Sequence, residues 1–548
     1  MPRNRLLLVV VFALSLATVA RGQDAKPATW KATGMKGAVA TGGGEAAKAG
    51  LALLQAGGNA SDGAAASILA MCVTDFPIVV FGGEVPILVY DAKRKVVEVL
   101  SGMGTAPRLA TREHFAKKGI PSKGSAESAA VPATFDACIT LLDRYGTKTF
   151  AEVAAPTLVL LDRVGKGWHA DLARTLRRII DAEKQSPNDR RRGLRLAADY
   201  FYRGPLAREL DAWSRANGGL LRYSDLATHV TRIEEPAQVD YRGYTVVKCG
   251  FWTQGPSLLQ SLQLLEGYDL KKMGHNQPDT IHVMAEALKL ALADRDVYYA
   301  DPLFAKVPGA ELLSPKYAEV RRSLINMKAA SQAQQPGDPL GVKALLEEPK
   351  MPTGVGAVDR DTSTCVVADG MGNLVAATPS GFNGVLAGST GVWLGSRLQS
   401  FNTREGHANC IEPGKRPRIT LTPGMVLKDG KPLLGLSCAG GDGQDQVLLQ
   451  IVVNALDFDM LPADAVIQPR FGTRHHLGSF LQSPPVLGSL SINPAVGEAT
   501  IKNLQERGHK ISRSDDSAVR PVLLHIDPKT GLLSVAGDPR GKRSALAY

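Results

Sequence analysis

The abrupt change of pattern at Thr362 constrains this chain more than any other feature. Before it, from about Ala329 to Arg360, both helical and strand periodicity fail. Ser331-Gln332-Ala333-Gln334-Gln335-Pro336-Gly337 is followed by Pro339, Pro349, Pro352 and further glycines, the composition of an exposed, flexible connector. After it, Thr362 to Ala368 is strand-like, Asp369 to Asn373 supplies a turn, and Leu374 to Thr378 returns. A connector therefore delivers the chain into a hairpin that opens on a threonine.

The rest of the chain offers both kinds of element. Glu45 to Val73 is helical with a break at Gly57-Gly58, and Asn59 or Ser61 offers a cap for the second helix. Ile87 to Tyr90 and Val96 to Leu100, joined by Asp91 to Lys95, read as a hairpin. Helices dominate from about Phe135 to Asn217. Asp279 is placed to cap a long helix to Tyr299 whose inward stripe includes Ile281, Ala285, Leu288 and Leu292. A helix is predicted from about Gln444 to Leu456, between short strands. Runs of helices and strands without regular alternation predict helices covering sheets, not a doubly wound parallel fold. With 548 residues, 44% hydrophobic and 21% charged, disorder, collagen and coiled coil are excluded, and no solenoid or propeller period is present.

Arg3 and Arg5, the apolar run Leu6 to Ala20 and the small residues Ala20 and Gly22 read as a cleaved secretory leader over residues 1–22. That run is shorter than the roughly 20 residues a bilayer span needs, and no later run is longer. The expectation is an exported protein, periplasmic or secreted, without a membrane anchor. Without Arg3, Arg5 and Arg21 the formal charge falls from +11 to +8. That scattered excess does not indicate a nucleic-acid partner, and Arg190-Arg191-Arg192 with Arg195 reads as a solvated helical face. The six cysteines show no CxxC spacing, which argues against a zinc ribbon and a dense disulfide scaffold.

Three motifs are set aside. Gly42-Gly43-Gly44-Glu45 lacks the βαβ unit of a dinucleotide fingerprint and reads as a loop entering a helix. Gly435-Leu436-Ser437-Cys438-Ala439 ends in alanine where a nucleophile elbow has glycine. The adjacent His475-His476 cannot both face one metal from a regular strand. What remains is Asp361-Thr362-Ser363-Thr364 at the connector's end, with Gly440-Gly441 about eighty residues later opening a helix.

These features fall inside a long series of matches. Gly57 to Asp62, Leu88 to Ala92, Thr105-Ala106-Pro107, Ala130-Val131-Pro132 and Tyr241 to Tyr244 come first. His282 to Arg295, Asp301-Pro302, Gly414-Lys415-Arg416-Pro417, Thr422-Pro423, Gly440-Gly441, Pro469-Arg470-Phe471 and Asp538-Pro539-Arg540 follow in order. From Ala38 onward the chain resembles a gamma-glutamyltransferase (glutathione hydrolase) proenzyme. The resemblance implies an α+β N-terminal-nucleophile hydrolase, a four-layer αββα sandwich made as one chain and self-cleaved into two tightly associated subunits.

By that resemblance the cut falls between Asp361 and Thr362, giving a large subunit, 23–361, with a connector at about 329–361, and a small subunit, 362–548. Thr362 supplies the nucleophile and, once its amine is free, the base. Its amine has a reference pKa of about 7.7 to 8.0. Gly440 and Gly441 take the oxyanion-hole position and Ser380 that of a second hydroxyl orienting the nucleophile. No cofactor or metal is implied; the partners are a small-molecule or peptide amide and the sister subunit.

The substrate positions depart from the family pattern. Met103 stands where an arginine clamps the α-carboxylate, Ile419 and Thr420 replace two serines, and Gln399 and Ser400 replace an acidic pair before Phe401. Phe382 stands in place of an asparagine unless a one-residue shift brings in Asn383. Losing the arginine and a carboxylate removes the partners of a zwitterionic headgroup, so glutathione should bind poorly. Arg397 or Arg418 could replace the clamp, or be surface residues. The short stretch between Phe401 and Gly414 predicts a more open site, which favours hydrolysis over transfer. Three functions follow: an amidohydrolase or acyltransferase with a changed acyl pocket, a true glutathione hydrolase with replacement clamps, or a catalytically silent peptide-binding homologue.

Overall fold

The computed structural model of the chain describes residues 29–121, 124–346, 362–381, 384–480 and 482–548. The leader at 1–22, the last part of the connector, Asp361, Phe382 and Asn383 lie outside the described residues.

Two seven-stranded antiparallel sheets form the centre. The first runs, by neighbour, Ser544–Ala547, Gly37–Thr41, Cys365–Asp369, Leu374–Ala377, Ile87–Asp91, Val96–Leu100 and Ile233–Glu234. The second runs Lys31–Gly34, Leu533–Gly537, Arg520–Ile526, Lys431–Ala439, Gly424–Lys428, Tyr244–Lys248 and Ala237–Tyr241.

The period-2 alternation of side chains assigns each face. Val39, Val89, Val367 and Val375 point outward into a cluster shared with helices Gly44–Gln55, Ala60–Thr74 and Thr134–Tyr145. Their neighbours Ala38, Ala40, Leu88, Val366 and Ala376 point inward and meet Val247, Met425, Val522 and Val535 of the second sheet. Val246, Val426, Leu436 and Leu523, on that sheet's far face, pack under helices Pro256–Leu265, Pro278–Tyr298 and Gln444–Leu456. Three apolar layers thus separate four structural ones, the αββα order the resemblance implies. Small alanines on the inner faces let the sheets approach closely.

Local expectations hold in part. The Ile87–Leu100 hairpin pairs Ile87 with Leu100, and Asn59 caps the second helix through Ser61 N (3.0 Å) and Asp62 N (3.2 Å). Asp279 is not a cap. The long helix starts at Pro278, whose missing N–H costs nothing there, and Asp279 pairs with Arg507. Nor is its apolar surface a stripe: Thr280 to Asp296 is buried on every face, packed between the helices Pro256–Leu265 and Glu498–Glu506. Arg191 is exposed and pairs with Asp143 at 2.8 Å. All six cysteines are buried and none is in a disulfide. Ser437 sits inside strand Lys431–Ala439, donating to Ala377 O (2.8 Å), and not on an elbow.

Residues 329–346 lack helix and strand, but they are pinned. Ala330 N donates to Arg507 O, Gly337 N to Asp294 Oδ1, and Arg321 Nη1 to Ala344 O. Strings that carry the resemblance also bond one another. Arg416 grips Asp301 at 2.8 Å, and Arg470 grips Asp538 at 2.6 Å.

Candidate active site

The strand expected from Thr362 begins only at Cys365. Thr362 to Thr364 are held off the ladder: Ser363 N donates to Pro379 O (2.9 Å) and Ser363 Oγ to Asp75 Oδ2 (2.5 Å). This lays Thr362 beside the segment Pro379-Ser380, at the end of the first sheet. The same end faces the last turn of strand Lys431–Ala439 through Thr378 Oγ1, 2.9 Å from Ser437 Oγ. Sheet pairing therefore brings Thr362, Ser380 and Gly440-Gly441 into one neighbourhood.

Thr362 is only 3% exposed. The Gln444 side-chain amide lies 3.4 Å from its Oγ1. In the orientation that lets this amide donate to Thr420 O (3.2 Å) and Cys438 O (2.7 Å), its oxygen faces the hydroxyl. Gln444 thus links the nucleophile position to Thr420. On the other side Arg543 Nη2 reaches Thr362 O at 3.4 Å. Burial, only partly offset by Asp75, pushes Arg543 down to about 10.

Gly440 (φ +135°) and Gly441 (φ +56°) form a left-handed turn that feeds the helix Gln444–Leu456. A Cβ on Gly440 would lie 2.9 Å from Val519 Cα and 3.0 Å from Ala518 O, so both dihedral and space demand glycine. No acceptor among the described residues takes either glycine's N–H, which leaves both available to an oxyanion.

The turn is anchored by charge. Arg295 donates to Asp442 Oδ1 (2.6 Å), Gln254 Oε1 (3.0 Å), Asp296 Oδ1 and Leu477 O, and Gln254 donates to Gly441 O (3.3 Å). Asp442 also accepts from Ser479. Burial raises the Asp442 pKa, but Arg295, His476 and Arg418 more than offset it and hold the carboxyl well below the usual range. At the head of the helix Asp445 meets the fully buried Lys248 at 3.0 Å. Beyond the glycine pair lies a cavity of about 250 Å³, lined by Gly440, Gly441, Phe471, His476, Phe480 and Val519 among others.

Ser380 pairs across a short sheet with Glu84, and Arg397 joins the two: Nε donates to Glu84 Oε1 (2.7 Å) and Nη2 to Ser380 Oγ (2.8 Å). Arg397 and Arg418 are both buried, so neither is the surface residue that was one of the alternatives. Arg418 donates to Ser479 Oγ at 2.6 Å, and burial with the neighbouring Arg295 pushes it down to about 10. Glu84 is the functional candidate that sequence reading misses. Its signal was an acid inside the apolar run Val79 to Val89. Glu84→Gln removes the charge opposing a buried guanidinium, so the expected cost is about 3 kcal/mol of stability with slower maturation. Thermal unfolding and an electrophoretic time course check it.

Met103 and Ile419 lie with Leu398 and Phe401 in the apolar cluster between the sheets. Gln399, Ser400 and Thr420 are each no more than 2% exposed. The open site expected from the short Phe401–Gly414 stretch is not seen. Asn409 draws that loop down by donating to Ser400 O (2.8 Å) and accepting from Arg418 N (2.9 Å).

Among the described residues, His282, Glu286 and His509 stand close enough to share a metal ion. A cation is already there, since Lys289 Nζ is 2.6 Å from Glu286 Oε1. His282 bonds Asn326 O and His509 at 2.9 Å each, and burial and Lys289 push His509 down to about 3. The cluster braces the connector, because Glu286 accepts from Ser331 N. His475 and His476 diverge, one reaching Ala333 O and the other Arg295.

The sequence profile described as gamma-glutamyltranspeptidase matches residues 46–188 and 163–548. An acylase proenzyme from Pseudomonas sp. (strain SE83), Acylase ACY 1, is 32% identical over 92% of both chains. A glutathione hydrolase proenzyme from Escherichia coli (strain K12) is 30% identical over 92% of this chain and 90% of its own. The crystal structure of a cephalosporin acylase from Bacillus halodurans superposes with a TM-score of 0.79 at 27% identity, covering 98% and 99% of the two chains.

Proposed function

The chain belongs to the gamma-glutamyltranspeptidase family and is an N-terminal-nucleophile hydrolase, and from that premise we propose that it is a self-processing amidohydrolase with an altered acyl pocket. Thr362 Oγ1 attacks the Asp361 carbonyl, an N-to-O acyl shift gives an ester, and water releases a large subunit, 23–361, and a small one, 362–548. The new α-amine then takes the Thr362 hydroxyl proton as the oxygen attacks a substrate amide. Gly440 and Gly441 N–H groups stabilise the oxyanion, the leaving amine departs with that proton, and water or an amine resolves the acyl-enzyme. The cavity beyond the glycine pair gives the leaving group room. The leader-like residues 1–22 favour export to the periplasm or medium.

The carrying observation is the convergence of Thr362, with Gln444 at its hydroxyl, and two glycine N–H groups that have no partner among the described residues, in a turn only glycine can make. The buried set around Met103, Gln399 and Ile419 offers a glutamyl zwitterion no carboxylate clamp, which favours an acylase over the true glutathione hydrolase. Trapping tests it: an amide or activated ester should add an acyl mass only to the peptide beginning at Thr362. Label on any other residue contradicts it. Because the base is an amine, kcat/KM is expected to rise with pH through about 7 to 8 as it loses its proton. A pH profile from 5 to 9 checks this.

A further inference from the structure

A freshly cut chain has a problem that the uncut one does not: terminal residues lose order unless something ties them down. Before cleavage Thr362 is held by a peptide bond on each side. Afterwards only the bond to Ser363 remains, and the ties on these two residues decide where the hydroxyl and the amine point.

Three separate stretches of chain supply those ties. Ser363 N donates to Pro379 O at 2.9 Å, and Ser363 Oγ donates to Asp75 Oδ2 at 2.5 Å. Asp75 follows the helix Ala60–Thr74 and is itself fixed, its Oδ1 accepting from Thr74 Oγ1 (2.9 Å) and its N–H donating to Met71 O. Arg543, just before the last strand Ser544–Ala547, spans the pair: Nη2 reaches Thr362 O at 3.4 Å and Nη1 stands 3.9 Å from Asp75 Oδ2. Ser363 and Arg543 are both buried.

The glycine run Gly42-Gly43-Gly44 finds its use at the same place. Strand Gly37–Thr41 pairs Thr41 with Cys365, which carries Gly42 past the residues that precede Cys365. A Cβ on Gly42 would lie 1.8 Å from Asp75 Oδ2 and 2.2 Å from Ser363 Oγ, wedged against both oxygens of that bond. Its φ is not left-handed, so space alone demands glycine. Both obstructing atoms are side-chain ends that can swing away. A methyl there breaks the Asp75–Ser363 bond and leaves the surrounding backbone in place.

We infer that Asp75, Ser363 and Arg543, in the space left by Gly42, form an anchor that holds the nucleophilic threonine in place once the chain before it is gone. They are positioning residues, acting through Thr362. This rests on cleavage before Thr362 as proposed above, by which Gly42 and Asp75 fall in the large subunit and Ser363 and Arg543 in the small one. The consequence is an asymmetry. Loosening the anchor costs the mature enzyme, with one end of Thr362 free, far more than the precursor, with both ends held.

The test compares purified full-length Gly42→Ala with wild type for self-cleavage, by electrophoresis, and for kcat and KM on whichever of glutaryl, pentanoyl and γ-L-glutamyl p-nitroanilide wild type turns over fastest. Cleavage is expected to keep nearly its wild-type rate, whereas kcat falls about tenfold to a hundredfold with KM little changed, the scale of a small misplacement of reacting groups. Ser363→Ala should repeat the pattern. Asp75→Asn, which keeps an oxygen for the Ser363 hydroxyl, should retain more turnover than Asp75→Ala. A kcat equal to wild type, or cleavage slowed in step with kcat, overturns the anchor. Should Gly42→Ala not fold, Ser363→Ala decides in its place. Should no anilide be turned over, aminopeptidase treatment followed by intact mass decides: Thr362 is expected to be trimmed from the variant and retained by wild type, and equal retention overturns the proposal. Normal cleavage with unchanged kcat sinks the anchor alone, whereas a wild-type chain that never acquires an N-terminal Thr362 sinks the self-processing reading with it.

Discussion

Replacing Thr362 by alanine is expected to leave the chain in one piece and to lower amide turnover by about four orders of magnitude or more, the scale of losing a nucleophile outright. The physical reason is that, in the proposed mechanism, one oxygen serves two reactions. It attacks the Asp361 carbonyl during maturation and the substrate carbonyl afterwards, and the amine that serves as base exists only once the first attack is complete. Alanine removes both functions with one atom. Packing suffers little, because the change deletes a hydroxyl and a methyl from a site already lined by Gln444 and Arg543. Thr362→Ser keeps the oxygen and should restore cleavage and a measurable part of the turnover. Denaturing electrophoresis beside an anilide assay reads both outcomes.

Gly440→Ala is expected to cost about 10² to 10³ in kcat, the measured scale for losing an oxyanion donor. At φ +135° an L side chain is strained, and its Cβ would meet Val519 Cα at 2.9 Å, so the turn has to move. Any movement swings the Gly440 and Gly441 N–H groups off the developing charge. The turn cannot relax freely, because Asp442 and Gly441 O are held by the Arg295 and Gln254 network. Backbone strain at such a residue is worth about 1 to 3 kcal/mol, so folding should survive. Circular dichroism confirms the fold, and the loss should appear in kcat far more than in KM.

How far the sequence discloses this arrangement depends on the range of the interaction. The unbroken apolar run Cys365-Val366-Val367-Ala368 marks a strand buried on both faces, and the Ile87–Leu100 hairpin is a local event, so both are legible. Thr362 and Gly440-Gly441 are legible only through the resemblance, since nothing local distinguishes a threonine that opens a hairpin. The Glu84–Arg397 pair spans more than three hundred residues and no local pattern announces it. The late start of the strand at Cys365 comes from Pro379 O and Asp75, which take the backbone and hydroxyl of Ser363. The all-round burial of Thr280 to Asp296 follows from helices packed on both sides of it. The closed state of the substrate positions is likewise tertiary, being set by Asn409.

The proposed mechanism requires this chain to make its own catalytic terminus. Intact-mass measurement with N-terminal sequencing of purified wild-type protein tests it most directly. Two stoichiometric chains are expected, the smaller of 187 residues beginning at Thr362. A single uncut chain that still hydrolyses amides, or a new terminus anywhere else, contradicts it.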